Sequence, residues 1–334
     1  MSTLFTNFFQ KINQISPLET DFTEVLESIA LTPKTLYFYG KMPENVVKSQ
    51  KSSTKRVIKE RHKTVAIVGS RHNTRYGEEI AYHLAYELAK HGVIIVSGLA
   101  YGIDSIAHRG CLDAGGTTVA VLGTRIDDIY PKEHLPLATK IIKTGGAIIS
   151  EYAPASLKNA PFGPAEFIDQ ATGRRRIEQK ASFLYRNRLI SGLSDIVVVV
   201  EAAEKSGSLN TAAHAIEQGK TVFAVPGNIT SPYSQGCNKL IKQGAIPYTE
   251  PDDILRELFP EEYTKKLKKR RVLNLIGDND VETLILRALA AGARSGEDVM
   301  QLTHLPPEVF NESITLLEIK SRVRSLGMNT WSLT

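Results

Sequence analysis

A chain of 334 residues is longer than a single hydrophobic core usually organises, which predicts one large domain with smaller attachments. The composition, 42% hydrophobic and 23% charged, excludes a disordered, collagen-like or coiled-coil protein. The net charge of +5 is concentrated in two strips: Lys41 to Lys63 has eight basic and two acidic residues, and Lys265 to Arg271 has six basic residues and no acid. Such strips suit contact with a polyanion, although solvated lysine-rich linkers explain each of them equally well.

No membrane or secretory segment is predicted. The longest purely apolar run, Ile196 to Val200, is far shorter than a membrane span, and the N-terminus lacks the basic start and cleavage site of a signal peptide. A cytoplasmic protein is therefore expected. Its two cysteines, Cys111 and Cys237, are too few for a zinc site and are predicted to be reduced thiols.

Four segments follow one another along the chain. Residues 1–63 are an N-terminal extension and basic linker, 64–258 a large domain, 259–274 a second basic linker, and 275–334 a C-terminal module. The large domain alternates β-branched runs with helical patterns, which predicts an open α/β parallel sheet with right-handed crossovers, a Rossmann-like fold. The runs predicted as buried parallel strands are Thr64 to Gly69, Val93 to Gly98, Thr117 to Gly123, Ala147 to Ser150, Asp195 to Glu201 and Thr221 to Val225.

Helical patterns stand out in two parts of the sequence. Between the first two strands, apolar residues recur at four-residue steps over 80–88, which predicts a helix with one buried face. In the C-terminal module, three short helical patterns at 281–290, 295–303 and 307–320 precede a predicted hairpin at 323–333. This is the winged-helix order, which predicts a winged-helix-like module and is used equally for DNA contact and for protein docking.

Small and hydroxylated residues follow three of the predicted strands. Gly69 to Arg71 follows the first strand, Ser97 to Gly102 the second, and Ser206 to Thr211 the strand that ends at Glu201. The carboxyl ends of parallel strands meet at one edge of the sheet, where helix N-termini present free backbone N–H groups to anions. Any one such loop is explained as a turn that needs glycine and serine, but three at one edge favour an anion-binding site.

Motifs for several enzyme classes are absent. The sequence has no G-x-x-x-x-G-K-[ST], no G-x-G-x-x-G after the first strand, no G-x-S-x-G and no H-E-x-x-H. Asp104 and His108 are four residues apart and share a predicted helix face, which is explained by capping and bracing of that helix. The sequence therefore predicts no catalytic residue, no cofactor and no metal ion.

A basic and aromatic segment, Phe183 to Ser194, precedes the most apolar strand. Arg186 and Arg188 stay charged at any cellular pH, and a planar guanidinium suits bidentate phosphate contact or stacking on a base. Phe183 and Tyr185 bring aromatic rings close by. A helix whose arginines lie over the sheet edge explains the same residues without a ligand, so both interpretations remain open from spacing alone.

A series of motifs runs in a fixed order through residues 31–255. These motifs are Val65 to Arg71, Tyr76-Gly77, Ser97 to His108, Tyr130-Pro131, Ser150 to Tyr152, Arg186 to Arg188, Ser191 to Ser194, Glu201 with Ser206 to Ser208, Val225 to Gly227, and Gly236 to Ala245. In order and spacing the series closely resembles the DprA (Smf) family of DNA-processing proteins. The segment Leu317 to Ile319 and the terminal hairpin are also similar to the winged-helix module that many members carry.

The resemblance implies a protein that binds and protects incoming single-stranded DNA, works as a homodimer and helps load the recombinase RecA in natural transformation and recombination. It implies no catalysis. Carried over motif by motif, the DNA-binding candidates are Ser70, Arg71, Ser97, Gly98, Gly102, Lys132, Arg186, Asn187 and Arg188. Arg71 is expected to matter most, because it stands where the first loop meets the sheet edge.

The chain departs from the family pattern between Tyr152 and Arg186. It carries an additional segment there, Phe162 to Lys180, with three consecutive arginines at 174–176, and the usual Phe-Pro-basic approach to Arg186 is altered. The insertion either replaces the lost positive charge or is a loop without a role.

Two other functions are weighed against DNA binding. One is a nucleotide-hydrolysing Rossmann enzyme related to nucleoside monophosphate phosphoribohydrolases. That group carries P-G-G-x-G-T where this chain has Ser206-Gly207-Ser208, which argues against it. The other is an adaptor whose C-terminal module docks partner proteins.

Overall fold

The computed structural model describes residues 11–44, 46–49, 57–157, 163–170, 175–261 and 275–333. The chain divides into two compact units, one ending at Leu258 and the other beginning at Phe259. The basic run from Lys265 to Arg271 lies outside the described residues. In the part of the chain that is described, no helix has both the length and the apolar character needed to cross a membrane.

The first unit is built on a nine-stranded sheet with the strand order β1-β2-β8-β7-β6-β5-β11-β12-β13. The strands of this unit, in chain order, are β1 (Asn13–Ile15), β2 (Leu36–Gly40), β3 (Val46–Ser49), β4 (Val57–Glu60), β5 (Thr64–Val68), β6 (Ile94–Ser97), β7 (Thr118–Arg125), β8 (Ala147–Tyr152), β9 (Glu166–Ile168), β10 (Arg175–Ile177), β11 (Ile196–Val199), β12 (Thr221–Ala224) and β13 (Ile246–Pro247). Strands β5 to β8 and β11 to β13 are mutually parallel, which confirms the open α/β sheet and the six parallel strands predicted from the sequence.

Helices connect the parallel strands and cover the sheet. They are α1 (Arg75–Lys90), α2 (Ile103–Asp113), α3 (Leu135–Lys143), α4 (Gln179–Gly192), α5 (Gly207–Glu217), α6 (Gln235–Lys242) and α7 (Pro251–Leu258). Helix α1 begins where the Thr74 hydroxyl accepts the N–H of Gly77, and its predicted apolar stripe is buried through Leu84 and Leu88, with Ile80 half-buried. The central strands are apolar on both faces because helices cover both, as in β5, where every residue is buried.

Two features of this unit were not predicted from the sequence. Strand β2 pairs antiparallel with β8, and β1 pairs antiparallel with β2, so the sheet gains an antiparallel edge. Two small hairpins, β3 with β4 and β9 with β10, lie in the long basic segment and in the insertion. Their strands are only three or four residues long, too short for a period-two pattern to stand out.

In residues 275–333 of the second unit, three helices are followed by a hairpin, as predicted. These are α8 (Asp280–Ala290), α9 (Gly296–Thr303), α10 (Pro307–Ile319), β14 (Val323–Gly327) and β15 (Thr330–Leu333). The hairpin joins the helices through a small core in which the rings of Phe310 and Trp331 meet edge to face, 5.6 Å apart. Helix α9 begins at a reciprocal capping box between Ser295 and Asp298.

Candidate nucleic-acid interface

The order of the parallel strands reverses between β5 and β11, and the loops that follow these two strands lie side by side. Ser70 donates its backbone N–H to the carbonyl of Glu201 at 2.7 Å, which joins the two loops. Ile103, at the start of α2, donates to the carbonyl of Ser70 at 3.2 Å and brings in the loop after β6. The three glycine- and serine-containing loops therefore gather at the carboxyl edge, at the switch point where open α/β sheets bind ligands.

Gly102 allows this close approach of the loops. Its φ of +72° lies in the left-handed region, and a Cβ at this position would lie 2.2 Å from the carbonyl oxygen of Ser70. A side chain at residue 102 would therefore separate the loop after β6 from the loop after β5.

A cavity of about 720 Å³ lies between these loops and helix α4. Four cationic side chains and one carboxylate line it: Arg71, Lys180, Arg186, Lys205 and Asp104. Arg71, Lys180 and Lys205 are exposed, whereas Arg186 and Asp104 are buried. The accessible charge of the cavity is therefore positive, which suits an anionic ligand.

Aromatic rings support the cation at the mouth of the cavity. The guanidinium of Arg71 lies over the ring of Phe183, 5.1 Å from its centroid, while that of Arg186 is 5.9 Å from the same centroid. Tyr130, which is 39% exposed, packs against Phe183 with ring centroids 5.6 Å apart. Phe183 is half-buried, so Tyr130 is the more accessible of the two rings. Cations next to accessible rings suit single-stranded nucleic acid, because the cations contact phosphates while the rings stack on bases.

Below Arg71, the peptide of Gly98 links two buried charges. Its N–H donates to Asp104 Oδ2 at 3.1 Å, and its carbonyl accepts from Arg186 Nη1 at 2.8 Å. Arg186 also donates to the carbonyl of Val121, but its buried Nε has no hydrogen-bond partner among the described residues. Burial lowers the pKa of Arg186 to about 10 against the attraction of Asp104, and burial raises the pKa of Asp104 against the attraction of Arg186.

The sequence-predicted site residues fall into two groups by accessibility. Ser70, Arg71 and Gly102 lie at the surface of the joined loops, and Arg71 is exposed. Lys132 is also exposed and forms an ion pair with Asp128 at 2.6 Å, but it lies beyond Tyr130 and does not line the cavity. Their contact with a ligand stays a prediction.

The other predicted residues, besides Gly98 and Arg186, make contacts inside the protein. The Ser97 hydroxyl is buried and donates to the carbonyl of Ile67 at 2.7 Å. Asn187 donates to the carbonyl of Gly207 and to the side chain of Asn210, which ties α4 to α5. Arg188 donates from Nη2 to both oxygens of Glu151 at 2.8 Å, and from Nε to the carbonyl of Leu31 at 2.9 Å.

Several polar residues that line the cavity were not selected by sequence reasoning, among them Gln179, Lys180 and Lys205. Gln179 and Lys180 are the first residues of α4, and the sequence interpretation assigned them to an insertion instead. Lys205 directly precedes Ser206, the N-cap of α5, whose first turn contains no acidic residue. The loop after Glu201 was identified from the sequence. A lysine directly before a helix whose first turn has no acidic residue could therefore have indicated an anion-binding position at Lys205.

Glu201 holds Thr74, the N-cap residue of helix α1. It is 2% exposed, and its carboxylate accepts the N–H of Thr74 at 2.8 Å and the Thr74 hydroxyl at 2.6 Å. A Cβ on Gly77 would lie 2.3 Å from Glu201 Oε2, which shows how tightly the first turn of α1 packs on this group. Glu201 does not line the cavity, so its position gives no support to a role in nucleotide hydrolysis.

Buried polar groups on α2 support the fold as well. Asp104 and His108 are both buried, and the ring Nδ1 of His108 lies 2.7 Å from the hydroxyl of Thr118. Among the residues that the structure describes, no three histidine, cysteine or carboxylate side chains cluster in a way that would hold a metal ion.

Comparisons with known proteins place this chain in a family. Residues 13–259 match the family model described as DNA recombination-mediator protein A. The chain is 44% identical to protein Smf of Escherichia coli K12 over 194 residues, which is 58% of this chain but 46% of that protein, so it spans less than half the length of that relative. It is 37% identical to the DNA processing protein DprA of Bacillus subtilis over 249 residues, covering 75% of this chain and 72% of that protein.

A solved structure is similar over the same region. It is the structure of DNA processing protein A from Helicobacter pylori, which was described for its single-stranded DNA binding mode. It matches this chain with a TM-score of 0.56 and 28% identity. The match covers 75% of this chain and 97% of that one. Together with the family model, these matches confirm the resemblance seen in the sequence motifs. The chain therefore belongs to the DNA recombination-mediator protein A family.

Proposed function

We propose that this protein binds single-stranded DNA at the carboxyl edge of its sheet and acts in DNA recombination without catalysing a reaction. The observation that carries the proposal is the cavity where Arg71, Lys180 and Lys205 present positive charge beside Phe183 and Tyr130. The Helicobacter pylori protein, whose structure was described for single-stranded DNA binding, has a similar fold over this region.

In this proposal the residues at the carboxyl edge have different roles. Arg71, Lys180 and Lys205 contact phosphates, since their side chains are exposed at the cavity. Phe183 and Tyr130 stack on unpaired bases, which a duplex keeps stacked inside its helix. Ser70 and Gly102 shape the loop below Arg71. The buried groups among the candidates, including Ser97, Gly98, Asn187 and Arg188, hold the edge in place.

The test is a salt series of oligo-dT binding with Arg71→Ala. Loss of one phosphate contact should weaken binding to all sequences alike and reduce the slope of log affinity against log salt by about 0.7. Lys90→Ala is the matched control, because Lys90 also lies over an aromatic ring, 5.6 Å from the Tyr86 centroid. It stands at the far end of the 16-residue helix α1, about 24 Å along the helix axis.

The two variants together decide the site. Unchanged oligo-dT binding by folded Arg71→Ala, or an equal loss with Lys90→Ala, contradicts the assignment of the carboxyl edge. Preferential binding of duplex over single strand contradicts the stacking role given to Phe183 and Tyr130.

We further propose that the protein protects incoming strands and helps load the RecA recombinase in natural transformation, as a homodimer. Family membership supports this proposal. Sedimentation of the purified protein measures the dimer. RecA filament formation on single strands coated with single-strand-binding protein, with and without this protein, measures loading.

The C-terminal unit is proposed to be a winged-helix-like module. Its support is the order of α8, α9, α10 and the β14–β15 hairpin. A chain shortened to end at Arg271 distinguishes its two uses. Full strand binding with loss of partner recruitment indicates a docking module, whereas weakened strand binding indicates a DNA contact.

A further inference from the structure

The hairpin β9–β10 in the insertion is fixed to the rim of the carboxyl edge. Glu166 has a side chain that is only 2% exposed, and its Oε1 pairs with Arg125 Nη2 at 3.3 Å. Its other oxygen accepts the N–H of Gly163 at 2.6 Å, and Glu178 donates its N–H to the carbonyl of Ala165 at 2.9 Å. A buried, paired carboxylate at its base gives this hairpin a defined position.

The outer face of the hairpin combines an aromatic ring with a cation. Phe167 and Arg176 are cross-strand partners, so their side chains lie on the same face, and both alternate with Glu166. Phe167 is 46% exposed and the Arg176 side chain is 57% exposed. Arg176 pairs through Nε with Asp169 at 2.8 Å, and a guanidinium has five N–H donors, so this contact engages a fraction of its capacity.

The hairpin also borders a second cavity that adjoins the first. This cavity, about 450 Å³, is lined by Thr124, Arg125, Asp127, Asp128, Ala155, Arg176, Ile177 and Gln179. Gln179 lines both this cavity and the one that contains Arg71. A strand that leaves the first cavity past Gln179 therefore meets the hairpin next.

We propose that this hairpin is an additional contact for single-stranded DNA, with Phe167 stacking on a base and Arg176 contacting an adjacent phosphate. The inference rests on the proposed function and extends its site. Stacking is the main contribution, because the cations here are offset by carboxylates: Asp128 pairs with Lys132, and Asp169 pairs with Arg176. A ring without dense positive charge suits unpaired bases better than a duplex, whose bases are already stacked.

Oligo-dT length separates this hairpin from the main cavity. With about sixteen nucleotides, which is long enough to pass Gln179, Phe167→Ala should weaken binding at least about fivefold. With about four nucleotides, which occupy the main cavity alone, it should have no effect. Ile168→Ala is the matched control, since Ile168 is the neighbouring residue, is 50% exposed and alternates to the opposite face. It should bind both oligonucleotides like the wild type.

A second oligonucleotide tests stacking itself. Removing the bases from the end of the long oligo-dT that crosses the hairpin should weaken binding by the wild-type protein and leave binding by Phe167→Ala unchanged. Arg176→Gln should reduce the salt slope for the long oligonucleotide by about 0.7 and not change it for the short one.

The outcomes also separate this inference from the proposed function. If Phe167→Ala binds both lengths like the wild type while Arg71→Ala weakens both, the hairpin assignment is wrong and the main cavity stands. If Phe167→Ala weakens the abasic and complete oligonucleotides equally, or Ile168→Ala has the same effect, the ring does not stack on a base. If Arg71→Ala has no effect at either length, the proposed function itself fails.

Discussion

The two edges of the central sheet are built from the same strands but differ in what they bury. At the amino edge, Arg61 pairs with Asp195 at 3.4 Å while both side chains remain partly exposed. At the carboxyl edge, Asp104 and Arg186 are both buried around the backbone of Gly98. Among the described residues, the Nε atoms of Arg61 and Arg186 both lack a hydrogen-bond partner, so the edges differ in the burial of their charges. Folding requires only that each strand end in a turn, whereas burying the charges of Asp104 and Arg186 costs free energy. This burial therefore marks the carboxyl edge as the place where a ligand is expected.

Replacing one arginine at each edge should give the largest difference between them. Arg186→Met leaves Asp104 buried without its nearby cation and should lower the free energy of unfolding by about 3–5 kcal/mol. Arg61→Met removes a partly exposed ion pair and should cost about 1 kcal/mol or less. Urea unfolding measures both. Similar losses of unfolding free energy for the two variants would show that the buried charges contribute no more to stability than the ion pair at the amino edge.

Helix α2 places a second buried titratable group, His108, away from the carboxyl edge. The Thr118 hydroxyl donates to the carbonyl of Ile95 at 2.7 Å, so it accepts from His108 Nδ1, and the buried Nε2 has no partner among the described residues. Burial lowers the pKa of His108 to about 3, from an ordinary value of 6.5, so the ring is neutral in the folded protein.

The pH dependence of unfolding should report this neutral histidine. Because its pKa is lower in the folded state, its contribution to stability is complete above pH 6.5 and is lost as the pH falls from 6.5 towards 3. One proton accounts for a slope of about 1.4 kcal/mol per pH unit in that range. His108→Asn keeps a donor for Thr118 and should flatten the slope by this amount in urea unfolding at several pH values. An unchanged slope would mean that His108 is protonated without unfolding.

The same contrast explains what the sequence could and could not predict. Apolar runs predicted the parallel strands correctly, because a strand covered on both faces needs apolar residues throughout. The loop after β5 was predicted from Gly69 to Arg71, and its role in binding stays a prediction. The sequence from Arg186 to Arg188 does not distinguish guanidiniums that contact phosphates from guanidiniums that contact the protein itself. Their burial is seen only in the structure, where Arg186 donates to the carbonyl of Val121 and Arg188 to the carboxylate of Glu151.

The remaining gaps have a similar cause. Gln179 and Lys180 line the cavity because helix α4 begins at residue 179. The sequence does not indicate this helix start, because the N-cap residue Glu178 makes no side-chain cap hydrogen bond. The hairpin β9–β10 depends on the contact of Glu166 with Arg125, two residues that are 41 positions apart. Local patterns do not contain such long-range partners.

The smallest expected difference between the edges is in the stability lost when a glycine is replaced by alanine. A Cβ on Gly98 would lie 2.5 Å from Arg186 Nη1 and 2.6 Å from Asp104 Oδ2, and both groups are held there by hydrogen bonds to the Gly98 backbone. Gly98→Ala should therefore cost about 1–3 kcal/mol of stability through overpacking. Gly145→Ala, in a turn at the amino edge, has open space around the new methyl group but a φ of +88°, and should cost about 1 kcal/mol.

Binding makes this pair of variants more informative than stability alone. Gly98→Ala displaces Arg186, which lies beside the ring of Phe183 that supports Arg71, so oligo-dT affinity should fall along with stability. Gly145→Ala should lose stability and keep its affinity, because its turn lies at the opposite end of the strands. If both folded variants keep full affinity, the buried pair of Asp104 and Arg186 does not position Arg71. The burial of these charges at the carboxyl edge then has another cause.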